Sequence, residues 1–271
     1  EPLDFLGLAL VGIGLFGITY GIVRGNDAGW TSAEVLTGLI GGVALIVIFI
    51  WWESHAASPL LPLRLFSNRS FSMANIVGFL FFFGIFGAIF ILIQFLQVVQ
   101  GASPLEAGLM TMPWTLAPLI VSPLAGLLTS RVGTRPVIVV GMTLMSIGLL
   151  WIGAILDPGV EYIYSVPLYM AAGVGMGMVF APIATATLQG MVPEDRATAS
   201  GTNMTIRQVG IALGVATLTA IFTALDGTLT PTGFTDAASP AILTGAAALV
   251  LGTFAAFFFP KHVRAEEKVQ S

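Results

Sequence analysis

Cysteine is missing from these 271 residues, which excludes disulfides, thiolate metal sites and cysteine nucleophiles. Histidine is nearly missing. His55 and His262 fall in a polar connection and near the C-terminal end, outside every apolar stretch, so neither is placed for chemistry at membrane depth. Charge is scarce too: charged side chains make up 9% of the chain against 56% hydrophobic residues, far from the proportions of soluble domains. The formal net charge of −4 arises mainly in connections between apolar stretches, and no basic patch suits a nucleic-acid partner. The run GVGMGM imitates a dinucleotide fingerprint but lacks the preceding strand that such a site needs. Neither an enzyme, a metal site nor a cofactor is expected, because no nucleophile with its base and no ligand cluster lies inside an apolar stretch.

What the chain does have is length in lipid-soluble runs. Eight stretches, at approximately 3–23, 35–52, 71–99, 106–130, 136–156, 162–191, 198–225 and 240–259, reach the roughly 18 residues that cross a hydrocarbon core about 30 Å thick. Strands would alternate in polarity over about ten residues, whereas these runs are apolar on most sides and carry internal Gly and Pro. The expected fold is an all-α polytopic membrane protein of eight helices, with the lipid bilayer as its first partner. Basic residues occupy alternate connections: Arg64 and Arg69, Arg131 and Arg135, Arg196, then Lys261, Arg264 and Lys268. The other connections hold Arg24 among Asp27, Glu34, Glu106, Asp157, Glu161, Asp226 and Asp236. The positive-inside rule places the first set, and both ends of the segment, in the cytoplasm.

Glu1-Pro2 abuts the first stretch with neither a Met nor the basic region of a signal peptide, so the chain reads as the back portion of something longer. The connection ESHAASPLLPLRLFSNRS separates a leading helical pair, 1–53, from six helices within 71–260; 54–70 is expected as a cytoplasmic linker and 261–271 as a cytoplasmic tail. Two sets of three among those six fit the inverted repeat common in transporters. The polar segment DGTLTPTGFTDAASP is expected to be exposed and mobile, with no apolar face to pack.

Polar residues inside the runs form stripes. In the seventh, Ser200, Asn203, Arg207, Gly210, Gly214 and Thr217 fall within about a 100° arc. A cation at that depth costs at least ~2.5–3.5 kcal/mol unless it pairs, snorkels or meets water, so Arg207 either lines a cavity or clamps helix ends or Glu194 and Asp195. In the sixth, Met178, Pro182, Thr185 and Gln189 align, and Gly173 and Gly177 have the GxxxG spacing of close helix packing, with gating as the other reading. The third carries Asn75, Phe79, Phe82, Phe86, Ile93 and Gln97 along one line, an aromatic wall with amides near its ends. Trp114, between Pro113 and Pro118, is a cavity contributor or an interface anchor. No carboxylate sits in the middle of a run, so a proton carrier is not expected in this segment.

Longer motifs then carry a resemblance. LDFLGLALVGIGLFGITYGIVRG with the following GW and WWE, PLLPLRLFSNRSF, QFLQVVQGASPLEAGLMTMP, PLAGLLTSRVGTRP and VPEDRATASGTNMTIRQVGIALGVA occur in this order across essentially the whole chain. Together they resemble the C-terminal portion of the fourteen-span drug/proton antiporter branch of the major facilitator superfamily, including its two extra central helices. The resemblance implies a secondary active exporter of small amphipathic compounds, coupled to protons, in the cell (plasma) membrane, with a missing N-terminal six-helix half as partner. It makes Arg207, Asn203, Gln97, Asn75, Gln189 and Trp114 the substrate-cavity candidates. It makes Gly126, Arg131, Gly133 and Arg135 a cytoplasmic loop motif in which Ser130 stands where the family's stronger copy has an acid, so a turn-and-anchor role is expected. Gly173, Gly177, Pro182, Gly210 and Gly214 become packing or gating positions. An importer or facilitator of a polar solute, or a membrane sensor that transports nothing, are the competing readings.

Overall fold

The computed structural model describes residues 4–56, 59 and 61–260; the expected tail 261–271 lies outside the described residues. These are helical throughout: α1 (Phe5–Ala28), α2 (Ala33–Glu53), α3 (Arg69–Val98), α4 (Pro104–Met110), α5 (Met112–Val132), α6 (Thr134–Ile155), α7 (Tyr162–Leu188), α8 (Arg196–Ala224) and α9 (Pro231–Ala256). Among the described residues eight helices are long and apolar enough to cross a membrane, α4 being the short exception.

Local chemistry sets several helix starts. The Asp4 carboxylate accepts the Gly7 N–H at 2.8 Å and the Trp52 indole N–H at 3.0 Å, capping α1 and tying it to the end of α2. Ser103 and Glu106 form a reciprocal capping box on α4, and these hydrogen bonds hold the Glu106 carboxyl below the usual carboxylate range. Thr111 then interrupts the helix, so the expected run 106–130 is two helices rather than one. Gly133, at φ +90°, lies in a region that suits glycine and makes the abrupt turn between α5 and α6.

One expectation is overturned. The segment read as a mobile polar loop is in part the first turns of α9, which begins at Pro231. Its apolar face exists but is sparse: Phe234 is 1% exposed and packs against Phe222 and Phe95, with Ala237 and Ala238 buried beside it.

Packing relies on small residues, because lipid offers apolar helices no hydrophobic gain from meeting one another. α3 is the central post, against α8, α9 and α7. A Cβ on Gly84 would lie 2.5 Å from the Gly245 carbonyl oxygen, and one on Gly87 would lie 2.8 Å from that of Gly214. α6 and α7 meet in the same way at Gly141 and Gly175, and α9 closes against α6. α1 and α2 form a hairpin whose seam runs through Gly17 and Gly38, each within 3 Å of the other's carbonyl by the same measure. That hairpin leans on α8 through α1, and Asn26 donates its side-chain N–H to the Ala220 carbonyl across the contact. α5 is held mainly by α7 and leaves Leu119, Ile120, Leu124 and Leu127 exposed.

Candidate functional site

Arg207 stands about 16 Å into α8, a helix about 43 Å long. Every other charged side chain in the eight described spans lies outside the middle third of its helix. Its guanidinium carbon sits 5.1 Å from the centroid of the Phe82 ring, a cation–π distance. Phe82 is itself fixed by edge contacts to Phe81 and Phe180 and a tilted contact to Phe86, so α3 and α7 together hold the ring that the arginine faces. Arg207 as a whole is half-buried, yet its Nε is enclosed and has no hydrogen-bond partner among the described residues. A buried unmade hydrogen bond costs about 1–3 kcal/mol and the ring returns about 0.5–2 kcal/mol, so the two are of similar size while Nε itself keeps no partner among the described residues.

The clamp reading of Arg207 calls for helix ends or for Glu194 and Asp195, and among the described residues Arg207 makes no hydrogen bond or ion pair to any of them. Asp195 lies twelve residues earlier on the chain, ~18 Å away along the helix axis, and Arg64 engages it instead. The ion pairs among the described residues join Arg24 to Asp27 and Glu34, and Arg64 to Asp195; none includes Arg207.

One turn toward the start of α8, Asn203 donates from Nδ2 to Asn75 Oδ1 at 3.0 Å, and buried Asn75 donates to the Phe71 carbonyl. These amides bridge α3 and α8 beneath the arginine. Gly210 and Gly214, in the same stripe, press against the backbone of α3 at Phe79 and Phe83. The stripe therefore faces α3 along its upper part, and its lower part carries the polar groups.

The remaining candidates lie at other depths. Gln97 is half-buried fifteen residues beyond Phe82, ~22 Å further along α3. Gln189 is exposed at the end of α7, where its side-chain oxygen accepts from the Ser70 hydroxyl at 3.1 Å and its carbonyl accepts from the Asn68 amide. It borders a 550 Å³ cleft with Gly126, Thr129, Ser130, Thr185 and Arg196. Trp114 is 2% exposed beside Tyr169, its indole N–H enclosed and without a hydrogen-bond partner among the described residues. Gly173 and Gly177 bring α7 against α5 at Trp114 and Val121, and Pro182 is buried within an unbroken α7. In the loop motif Gly126 meets nothing within 4 Å of a Cβ position, Arg131 is exposed in the last turn of α5, and Arg135 lies over the Phe257 ring at 5.9 Å.

Two contacts carry no mark in the sequence stripes. Arg64 makes a bidentate pair with Asp195, at 2.7 and 2.6 Å, which holds its guanidinium above the usual range. Arg69 donates to the Phe258 carbonyl at the end of α9, the kind of helix-end contact expected of the loop-motif arginines. With the Asn68 and Ser70 bonds they form a belt joining the start of α3 to the α7–α8 connection and to α9.

The profile of the Major Facilitator Superfamily matches residues 5–215 and 74–271. Multidrug resistance protein Stp of Mycobacterium tuberculosis (strain ATCC 25618 / H37Rv) is 31% identical over 84% of this chain and 42% of its own length. Multidrug transporter protein MdtP of Bacillus subtilis (strain 168) is 32% identical over 80% of this chain and 41% of its own. Multidrug export protein EmrB of Escherichia coli (strain K12) is 29% identical over 82% and 43%. The chain thus spans about two fifths of the length of the curated relatives it matches. A bundle of apolar helices joined through glycine seams, with one arginine at mid-depth, accords with these matches, and the chain belongs to the major facilitator superfamily.

Proposed function

We propose that this chain is the C-terminal portion of a fourteen-span transporter that exports amphipathic compounds in exchange for protons. Residues 1–53 are its two extra central helices, 54–70 a cytoplasmic linker, 71–260 the second six-helix bundle and 261–271 a cytoplasmic tail. The arginine-rich end faces the cytoplasm of the cell on the positive-inside rule. The observation that carries the reading is Arg207: a fixed charge at mid-span against an aromatic wall, in a chain whose relatives are named for multidrug resistance, transport or export. A charge at such a depth is costly and marks the interior of a transport path by default. Rocking of this bundle against the missing half would expose that face alternately to each side. The belt around Arg64 and Asp195 would keep the cytoplasmic ends of α3, α7 and α8 moving as one piece.

The test uses everted membrane vesicles from cells producing the full-length protein, with the lumen acidified and a panel of fluorescent amphipathic dyes outside. Accumulation of a dye that collapses when nigericin dissipates the proton gradient is the expected result. Equilibration indifferent to the gradient identifies a facilitator; saturable binding without movement identifies a sensor.

A further inference from the structure

Resting on that reading, the surroundings of Arg207 also bear on what is carried. A carboxylate would be the counter-charge for lipophilic cations, and α3, α7 and α8 hold none in their spans: α7 has no charged residue, α3 only Arg69 at its start, α8 only Arg196 and Arg207. Arg207 has neither an acid partner nor a hydrogen bond to Nε among the described residues, and the ring it faces supplies a quadrupole rather than a counter-charge. A guanidinium stays charged in any protein environment and presents a planar fork matched to carboxylate or sulfonate oxygens. Beside it, half-buried Phe86 and Phe180, packed on buried Phe82, offer aromatic surface for an aromatic body. The Asn203–Asn75 pair, one turn away, is neutral and already internally bonded, so it supplies no counter-charge.

We propose that this face selects amphipathic compounds bearing an aromatic system and a negative charge, with Arg207 receiving the anion and the Phe82 cluster the rings.

Three probes separate charge from shape in the same everted vesicles: 8-anilinonaphthalene-1-sulfonate (an anion), N-phenyl-1-naphthylamine (its uncharged counterpart) and tetraphenylphosphonium (an aromatic cation). Protein-dependent uptake is taken after subtracting vesicles that lack the transporter. The anion is expected to be carried with a kcat/KM about tenfold or more above the cation, the scale of one charge-assisted hydrogen bond. Arg207→Gln lowers anion transport by about tenfold or more and changes the uncharged probe by less than about twofold, while Arg207→Lys keeps the charge without the planar fork and falls between. The unchanged neutral probe is the readout that a merely structural arginine would not give. Cation transport equal to or faster than anion transport by the native protein overturns the proposal, and would place a neutralising acid outside this chain. So does an Arg207→Gln variant that loses anion and neutral probe alike. If that variant fails to reach the membrane, the native anion-to-cation ratio and Arg207→Lys decide. Movement of none of the probes, with other dyes still exported in the panel above, rejects the anion site and leaves export standing; absence of all transport rejects both.

Discussion

Arg64 and Arg207 bring the same guanidinium into opposite settings. Arg64 is 68% exposed at the edge of the bundle, yet it holds Asp195 through two short hydrogen bonds. Arg207 is half-buried at mid-span and faces an aromatic ring, with no ion pair among the described residues. Stability alone would distribute them the other way, since pairing matters least where water already solvates the charge and most where it does not. The edge arginine has the company of a fixed position: it fastens the segment before α3 to the segment before α8. The mid-span arginine has a donor without a partner among the described residues, and the proposed anion site rests on that donor.

The largest way to break this contrast is at Phe82. Phe82→Ala removes a buried ring from the α3–α7 cluster and the aromatic face that Arg207 lies over, with an expected cost of about 3–5 kcal/mol in unfolding of the purified full-length protein. Phe82→Leu keeps most of the volume and loses the quadrupole, so a cost of about 1–2 kcal/mol is expected. Equal costs for the two would mean that the ring matters to Arg207 more than to packing.

A middle-sized effect is expected below the arginine. Asn75→Ala strands the Asn203 amide and should cost about 1–2 kcal/mol in the same assay, whereas Asn75→Ala with Asn203→Leu should recover part of that loss because no unpaired amide remains. Additive losses in the double variant would show that the bridge contributes nothing as a pair.

The smallest effect belongs to the Arg64–Asp195 pair, whose arginine is exposed although its aspartate is buried. Arg64→Ala or Asp195→Ala should lower the melting temperature by about 2 °C or less, and the exchanged pair Arg64→Asp with Asp195→Arg should restore it. Because Arg64 is open to solvent, the difference should fade near 1 M salt, where charges are screened over about 3 Å. A salt-insensitive loss would mean that Asp195 acts through its backbone neighbours and not through Arg64.

Much of the architecture was legible in the amino-acid order. All eight crossings follow from hydropathy, since a run that must satisfy its backbone in lipid has no alternative to a helix. The start of α9 escaped because Thr, Gly and Asp dominate Pro231–Asp236 while one phenylalanine and two alanines do the packing. A helical stripe reports the side of a helix and not the depth at which a partner waits. Asn75, Phe82 and Gln97 share a side of α3, yet only the first two lie near Arg207. Arg64 and Asp195 are 131 positions apart, and no periodicity connects them.

The glycine seams also set a timetable. Gly17 and Gly38 belong to neighbouring helices, so the α1–α2 hairpin finds its mate as soon as both have been made. Gly84 and Gly87 of α3 must wait for Gly245 and Gly214, more than a hundred residues later in synthesis. Until then the central post of the bundle stands in lipid with two notches open and its amide at Asn75 unclaimed by Asn203. The last helices to emerge from the ribosome are thus the ones that lock the third into place, and a nascent chain halted before α8 would hold a finished hairpin beside an unanchored post.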